Sequence, residues 1–540
     1  MRAYYGELFY LVGVLLVCPL GGCRQKESTA GSIELVPESK LGTRIGSVTT
    51  VAVPAPMAVE GFGLVGGLPG TGSADCPPAV RDYLRRYILA QLPAGGYEVD
   101  KLIDSKDTAV VRLEAVLPAA ALQNEHFDVR VSVPAGSEAA SLYGGWLYKA
   151  ELMPRGSFGA AARTLATVEG PVFINVIGVS KPEVREGYVL GGGRVARDYQ
   201  GAVSLRKTDY LLASGIRNRL NDRYGPGTAE ALSPTVIGFR IPAEYRRRRL
   251  RFVSMVGATY LEQTKELIEA RASTLVHLLA ASDRKQESEI ALEALGRESL
   301  PKLGALLNAS DEEVRLRAAR CMLYLGDDRG FGTLRDIALD AKSQRRLEAL
   351  DALVFGAARN DAAALAQRLL RDSDPVVVLA AYEHLREMND PTILQERVGR
   401  SFYIEQVAGT DRKAIYVTRS GDPRIVLFGA PLTCRKNLFV ESPDGRVMIN
   451  AKPGQEYVSL IRRHATRPGP IRPRNTSFDL ADIIRTLGGE SGQTKGESPA
   501  GLDVSYSDVI VLVQQLATKD MVTAEFWPGP LSKLGLIIKK

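Results

Sequence analysis

Apolar and polar residues alternate at Val111, Leu113, Ala115 and Leu117 against Arg112 and Glu114, which predicts a half-buried strand. Phe127, Val129, Val131 and Val133 alternate with Asp128, Arg130 and Ser132 in the same way, and Ile237, Phe239 and Ile241 give a third strand. Val80, Leu84, Tyr87 and Ile88 fall instead on one face of a helix. Its other face carries Arg81, Arg85 and Arg86, a solvated surface, and Asp75 is placed to cap it with Pro77 and Pro78 in the first turn. A second helix is predicted over Thr208 to Tyr224, with Leu212, Ile216 and Leu220 inward and Arg217, Arg219 and Arg223 outward. Residues 33–261 therefore read as mixed α and β.

The pattern changes at about residue 262. Residues 262–399 are rich in Ala, Leu, Arg and Glu and carry almost no strand signal. Similar apolar blocks begin at Val314, Arg345 and Val377, while Ser310-Asp311 and Ser373-Asp374-Pro375 supply helix-start chemistry. This resembles a short HEAT-like array of paired helices, with a period shorter than usual, which buries its apolar faces only by stacking. Residues 400–465 return to strands at Ala414–Val417, Ile425–Phe428 and Val447–Asn450, split by the turns Ser420–Pro423 and Pro443–Gly445, and predict a small β domain. After a Pro/Arg linker, residues 466–540 predict a helix capped by Thr476 or Ser477, burying Leu480, Ile483, Ile484 and Leu487 and ending at Gly488-Gly489. A further helix through Val509, Leu512, Val513, Leu516 and Ala517 and a last strand through Val522, Ala524 and Phe526 follow. The fold class expected is α+β, with an inserted helical solenoid.

Between the first helix and what precedes it lies a stretch with six glycines, Gly61, Gly63, Gly66, Gly67, Gly70 and Gly72. It contains G-x-G-x-x-G. A dinucleotide loop needs a buried strand before that motif and a helix immediately after it. Pro54 and Pro56 precede it and Leu68-Pro69-Gly70-Thr71-Gly72 follows, so a tight structural loop is the better reading.

The segment Val59-Glu60-Gly61-Phe62-Gly63-Leu64-Val65-Gly66-Gly67-Leu68-Pro69-Gly70-Thr71-Gly72 resembles the hallmark of the bacterial flagellar P-ring protein family. A second block agrees: Phe127–Val133, then Ala139-Ala140-Ser141-Leu142-Tyr143-Gly144-Gly145-Trp146-Leu147. Gly191-Gly192-Gly193-Arg194, read as a turn before a strand, continues it, and residues 475–527 are similar in element order to the family's C-terminal end. The resemblance implies a non-catalytic subunit of a periplasmic collar around the flagellar rod, self-associating into a ring. Its implied partners are further copies of itself, rod and L-ring proteins, and peptidoglycan. The helical block has no counterpart in a plain P-ring protein. The alternative is a binding module at the outer membrane, outside the flagellum.

Residues 8–20 form an apolar run ending in Leu20-Gly21-Gly22-Cys23, too short to span a membrane. It resembles a lipoprotein signal over 1–22, with Cys23 lipidated, a tether over 23–32 and a membrane partner through the lipid; a plain secretory signal is the alternative. Export in either form removes nucleic acid and NAD as ligands. Of the remaining cysteines, Cys321 lies in a helical core pattern, and a Cys76–Cys434 disulfide is open but supported by no spacing. The net charge of +7 is a mild basic excess, concentrated in Arg246-Arg247-Arg248-Arg249. That run reads first as a solvated face, and functionally as a contact for anionic polymer or a neighbouring subunit's acidic patch.

No catalytic constellation stands out along the chain. Four histidines lie without ligand spacing, no G-x-S-x-G turn occurs, and Ser282–Lys285 fits S-x-x-K without its companion motifs. No catalytic residue, metal site or cofactor is expected.

Overall fold

Six strands close into an antiparallel barrel in the order Met57–Gly66, Ala109–Leu117, His126–Ser132, Glu186–Val195, Ala166–Pro171 and Trp146–Pro154. The computed structural model describes residues 37, 40–91, 98–157, 163–179, 181–463, 473–490, 501–532 and 534. The alternation read from sequence puts Val111, Leu113, Val129 and Val131 inside the barrel with Leu147, Leu152 and Val189. Outside it, the helix Pro78–Gln91 lays Val80 and Leu84 over Leu64 and Val110. Asp75 does not cap this helix; its carboxylate accepts from Ser73 and from the Glu138 amide.

A second sheet runs Thr49–Ala52, Gly201–Leu205, Val236–Phe239 and Ala229–Ala231. The helices Tyr210–Tyr224 and Arg249–Ala258 share its core through Ile216, Leu220, Phe252 and Met255. The first of these starts at Tyr210 rather than at Thr208, because Asp209 caps it by accepting from the Leu212 amide. Arg219 and Arg223 are not merely solvated, because they donate to the carbonyls of Tyr260 and of Glu293 and Ala294.

From Lys265 to Glu387 the described chain is helical. The helices Lys285–Leu295, Glu312–Tyr324, Arg346–Gly356 and Pro375–Glu387 touch in sequence along one row, with the intervening helices packed on their other side. Asp311 and Asp374 cap their helices, accepting from the amides of Glu313 and Val376. The helical stretch ends earlier than its sequence pattern: Ile393–Val398 is a strand, half of whose side chains are polar because it stands at a sheet edge.

The region expected as a separate β domain is not separate. A five-stranded sheet runs Ile393–Val398, Phe402–Val407, Arg424–Phe428, Ala414–Arg419 and Glu525–Leu531, so residues on both sides of the expected boundary at 465 pair directly. A four-stranded sheet of Leu438–Glu441, Val447–Ala451, Val458–Arg462 and Arg474–Thr476 shares one core with it and with the helices Leu480–Gly488 and Tyr506–Thr518. Asp479 caps the first helix in place of Thr476 or Ser477, accepting from the Ala481 amide. The last strand starts at Glu525, after Val522 and Ala524.

Candidate functional site

Half of the glycine stretch is barrel wall. Gly61, Gly63 and Gly66 belong to the strand Met57–Gly66, which corrects the expectation of a loop across 61–72. The physical reason is close approach. A Cβ on Gly61 would lie 2.2 Å from the Glu151 carbonyl oxygen, one on Gly63 would lie 2.9 Å from Leu147 Cδ1, and one on Gly66 would lie 2.5 Å from the Tyr148 hydroxyl. The neighbouring strand Trp146–Pro154 thus crosses this one too tightly for side chains, with a register shift between Glu60 and Val65. Only Gly67–Gly72 form a turn. Gly67 and Gly70 have φ of +77° and +71°, the left-handed region that favours glycine. The Leu68 and Gly72 amides donate to the carbonyls of Asp107 and Lys106 at 2.9 and 2.8 Å, and Gly70 donates to the Asp107 carboxylate at 2.9 Å. No helix leaves the motif at once, since the next begins at Pro78, so the geometry is not that of a dinucleotide loop.

The two sequence blocks that carry the resemblance meet in space. Strand Met57–Gly66 pairs with Trp146–Pro154, and the Thr71 hydroxyl donates to the Ser141 carbonyl at 3.0 Å while its own carbonyl accepts from Ala140 at 2.9 Å. Gly191–Arg194 lies within the strand Glu186–Val195 rather than in a turn before it; the kink that marks it comes from Gly191, with φ of +58°. Residues 44–277 match the sequence model of the family described as flagellar P-ring protein.

Over residues 44–277 the chain is similar to flagellar P-ring proteins. It is similar to flagellar P-ring protein 2 of Hahella chejuensis, 29% identical over 259 residues, which cover 43% of this chain and 64% of that protein. The flagellar P-ring protein of Geobacter metallireducens is 27% identical over 260 residues, covering 45% and 68%. That of Caulobacter vibrioides is 32% identical over 200 residues, covering 34% and 51%. The chain thus spans between half and about two thirds of the length of these relatives.

The P-ring region docks on the C-terminal module through a carboxylate at a polar position of the alternating strand His126–Ser132. Asp128 Oδ1 accepts from the amides of Gly191 and Gly421, each at 2.9 Å, and Oδ2 accepts from the Ser420 hydroxyl at 2.6 Å. Nearby, the Tyr143 hydroxyl donates to Asp508 at 2.5 Å, and burial raises the Asp508 carboxyl above its usual range. The Ile174 amide donates to the Ser507 hydroxyl at 3.2 Å. Nothing local in the sequence marks these partners, which lie hundreds of residues apart.

The arginine run joins the P-ring region to the helices. Residues Ala243–Arg248 form a 3-10 turn and Arg249 opens the next helix. Arg249 holds Glu125 with two bonds of 2.7 and 2.9 Å, Arg248 reaches Glu293 at 3.3 Å with its guanidinium 3.8 Å from the Tyr324 ring centre, and Arg247 pairs with Glu387 at 3.2 Å. A solvated face is therefore the wrong description of Arg248 and Arg249; Arg246 alone of the four makes no ion pair among the described residues.

Cys23, the signal and the tether lie outside the described residues. Cys76, Cys321 and Cys434 are all free thiols, so the Cys76–Cys434 disulfide is not formed; Cys321 and Cys434 sit buried in two different cores. Among the described residues no helix is long and apolar enough to cross a membrane, and no three His, Cys, Asp or Glu converge as metal ligands.

Proposed function

We propose that this protein is a structural, non-catalytic subunit of a P-ring-like collar around the flagellar rod in the periplasm, assembling by self-association. The observation that carries the reading is the family match over residues 44–277, whose two glycine-rich blocks pack together on adjacent strands of the barrel wall. A collar needs a heterologous contact that closes, and no reacting group. The C-terminal module is docked directly on the barrel, which supports reading residues 475–527 as part of the same body. Rod and L-ring proteins and peptidoglycan are the partners this reading implies. Electron microscopy of basal bodies isolated with and without the gene tests it: loss of the periplasmic collar supports the reading, and intact collars in the deletion strain sink it.

Two finer readings accompany it. Cys23 is the lipidation site, which anchors the body at the outer membrane; a Cys23→Ala protein that still labels with fatty acid and still sediments with membranes would falsify this. The helical block at Lys265–Glu387 is a HEAT-like surface for a protein partner, and it lies almost wholly beyond the family match. If the host's collar forms without this protein, the outer-membrane binding module is the reading that stands. Arg246, which makes no ion pair among the described residues, is the member of that run left to meet an anionic polymer.

A further inference from the structure

The barrel and the C-terminal module leave a cleft of about 500 Å³ beside their seam, walled by barrel strand ends, by the hairpin after Ile393–Val398 and by the turn at Asp422. Trp146 and Leu190 also line a second cavity of about 350 Å³, so the indole stands between the two. The charges here are not balanced. Lys149, Arg194 and Arg397 are exposed and none has an ion-pair partner among the described residues; Arg397 only reaches the Arg400 carbonyl, at 3.5 Å. Asp422 is already held by Arg386 at 3.2 Å, which leaves Glu169 as the one uncommitted carboxylate in the lining.

A second observation concerns backbone. Arg397 belongs to Ile393–Val398, the outer strand of its sheet, paired on one side only, to Phe402–Val407. Its other side offers unpaired N–H and C=O groups, and Leu394 on it is 62% exposed. The open edge therefore begins at the wall of the cationic cleft.

We infer that this cleft and edge form a docking site for an acidic, extended segment of a partner protein. The segment adds as a strand to Ile393–Val398, sets carboxylates against Arg194, Arg397 and Lys149, and packs an apolar side chain on Trp146. Strand addition supplies affinity through main-chain bonds, the cations select an acidic sequence, and the indole is the anchor. A peptide satisfies the strand edge; a glycan or a small anion does not. The inference does not depend on ring formation.

Trp146 reports the site directly. The chain has two tryptophans, so Trp527→Phe leaves Trp146 as the only emitter. The probe is a peptide of alternating Val and Glu, titrated into the full-length Trp527→Phe protein, with its Val/Gln counterpart and oligogalacturonate as comparisons. A saturable change in emission with the acidic peptide alone is expected, weakened about tenfold or more by Arg194→Ser with Arg397→Ser and reduced by salt. Both substitutions are at exposed positions, and an unchanged melting curve confirms that the variant is folded. A peptide N-methylated at alternate amides should also lose binding, independently of any variant. Absence of saturable binding, equal binding by the double variant, equal binding of the methylated peptide, or binding of oligogalacturonate in place of the peptide would each overturn the inference.

Discussion

Arg251, from the last helix of the strand-rich region, places its guanidinium 2.7 Å from the carboxylate of Glu289, a helical-block side chain with no solvent exposure. Arg317 and Arg320 bind the same carboxylate at 2.9 and 2.7 Å. Burial by itself would raise this acid, but the three guanidiniums outweigh it and hold the carboxyl at about 2.

Glu289→Gln removes the one anion that all three half-buried cations share, although Arg251 keeps Glu293, Arg317 keeps Glu313 and Arg320 keeps Glu348. Breaking such a cluster from one side costs about 3–5 kcal/mol. We expect that loss in urea melts at pH 7. The pH dependence has a definite sign: the folded-state value lies below the ordinary 4.5, so the contribution is complete above pH 4.5 and is lost as pH falls toward 2. The Gln variant should lose that part of the acid slope. Parallel acid profiles of the two proteins would show that the cluster does not link the two regions energetically.

Gly61 and Gly70 should fail differently when replaced by valine. At Gly61 the new side chain meets a carbonyl oxygen of the next strand, 2.2 Å from the Cβ position. Backbone cannot give way as a flexible side chain can, so we expect a cost above the roughly 1–3 kcal/mol of ordinary overpacking. At Gly70 nothing lies within 4 Å and only the φ of +71° is strained, for about 1–3 kcal/mol. Thermal melts of the two variants rank them; a Gly70→Val protein less stable than Gly61→Val contradicts the close-approach account.

The contrast shows what was readable. Strands with plain alternation, such as Ala109–Leu117, and helices with a clean apolar stripe, such as Leu480–Gly488, were legible because their burial is decided by near neighbours in the chain. Glycine density at 61–66 pointed to a loop because composition cannot distinguish a residue that needs positive φ from one whose neighbour strand leaves no room. The division at residue 465 failed for a related reason: Ala414–Arg419 finds its second neighbour in Glu525–Leu531, and no local signal announces that pairing. The same holds for Asp128, which looks like any outward strand residue until Ser420 and Gly421 are placed against it.

Asp128→Ala should open that seam. Two amides and a hydroxyl lose their acceptor at once, at about 1–3 kcal/mol for each one that stays buried and unsatisfied. The expected result is faster proteolytic cleavage at the Ser420–Pro423 turn together with a global loss of several kcal/mol. A cleavage pattern like that of the parent protein would mean that Tyr143, Ile174 and the shared apolar contacts hold the seam without it.

The thiols give an independent check on the core. Burial pushes Cys434 up to about 12 and Cys321 well above its usual range, so neither supplies thiolate at neutral pH. In the native state we expect a thiol reagent to modify the half-buried Cys76 first, and Cys321 and Cys434 only on unfolding. A Cys76–Cys434 crosslink on a non-reducing peptide map would refute the arrangement.

The bond from Ser420 to Asp128 joins residues 292 apart in the chain. Synthesis delivers the N-terminal end first, so the barrel emerges complete in its own strands long before the turn that seats against it. Until then Asp128 and the apolar surface around Phe173 have only water to face. The final docking is a late, non-local step of the kind that slows folding and exposes a chain to aggregation. The helical block fills that interval, and since its helices pack on their neighbours in sequence, much of it can form as it appears, although its core closes only on Val407, Ala414, Val426 and Phe428 of the later sheet. A variant that lengthens the block would then delay the closing contact without altering any surface that makes it.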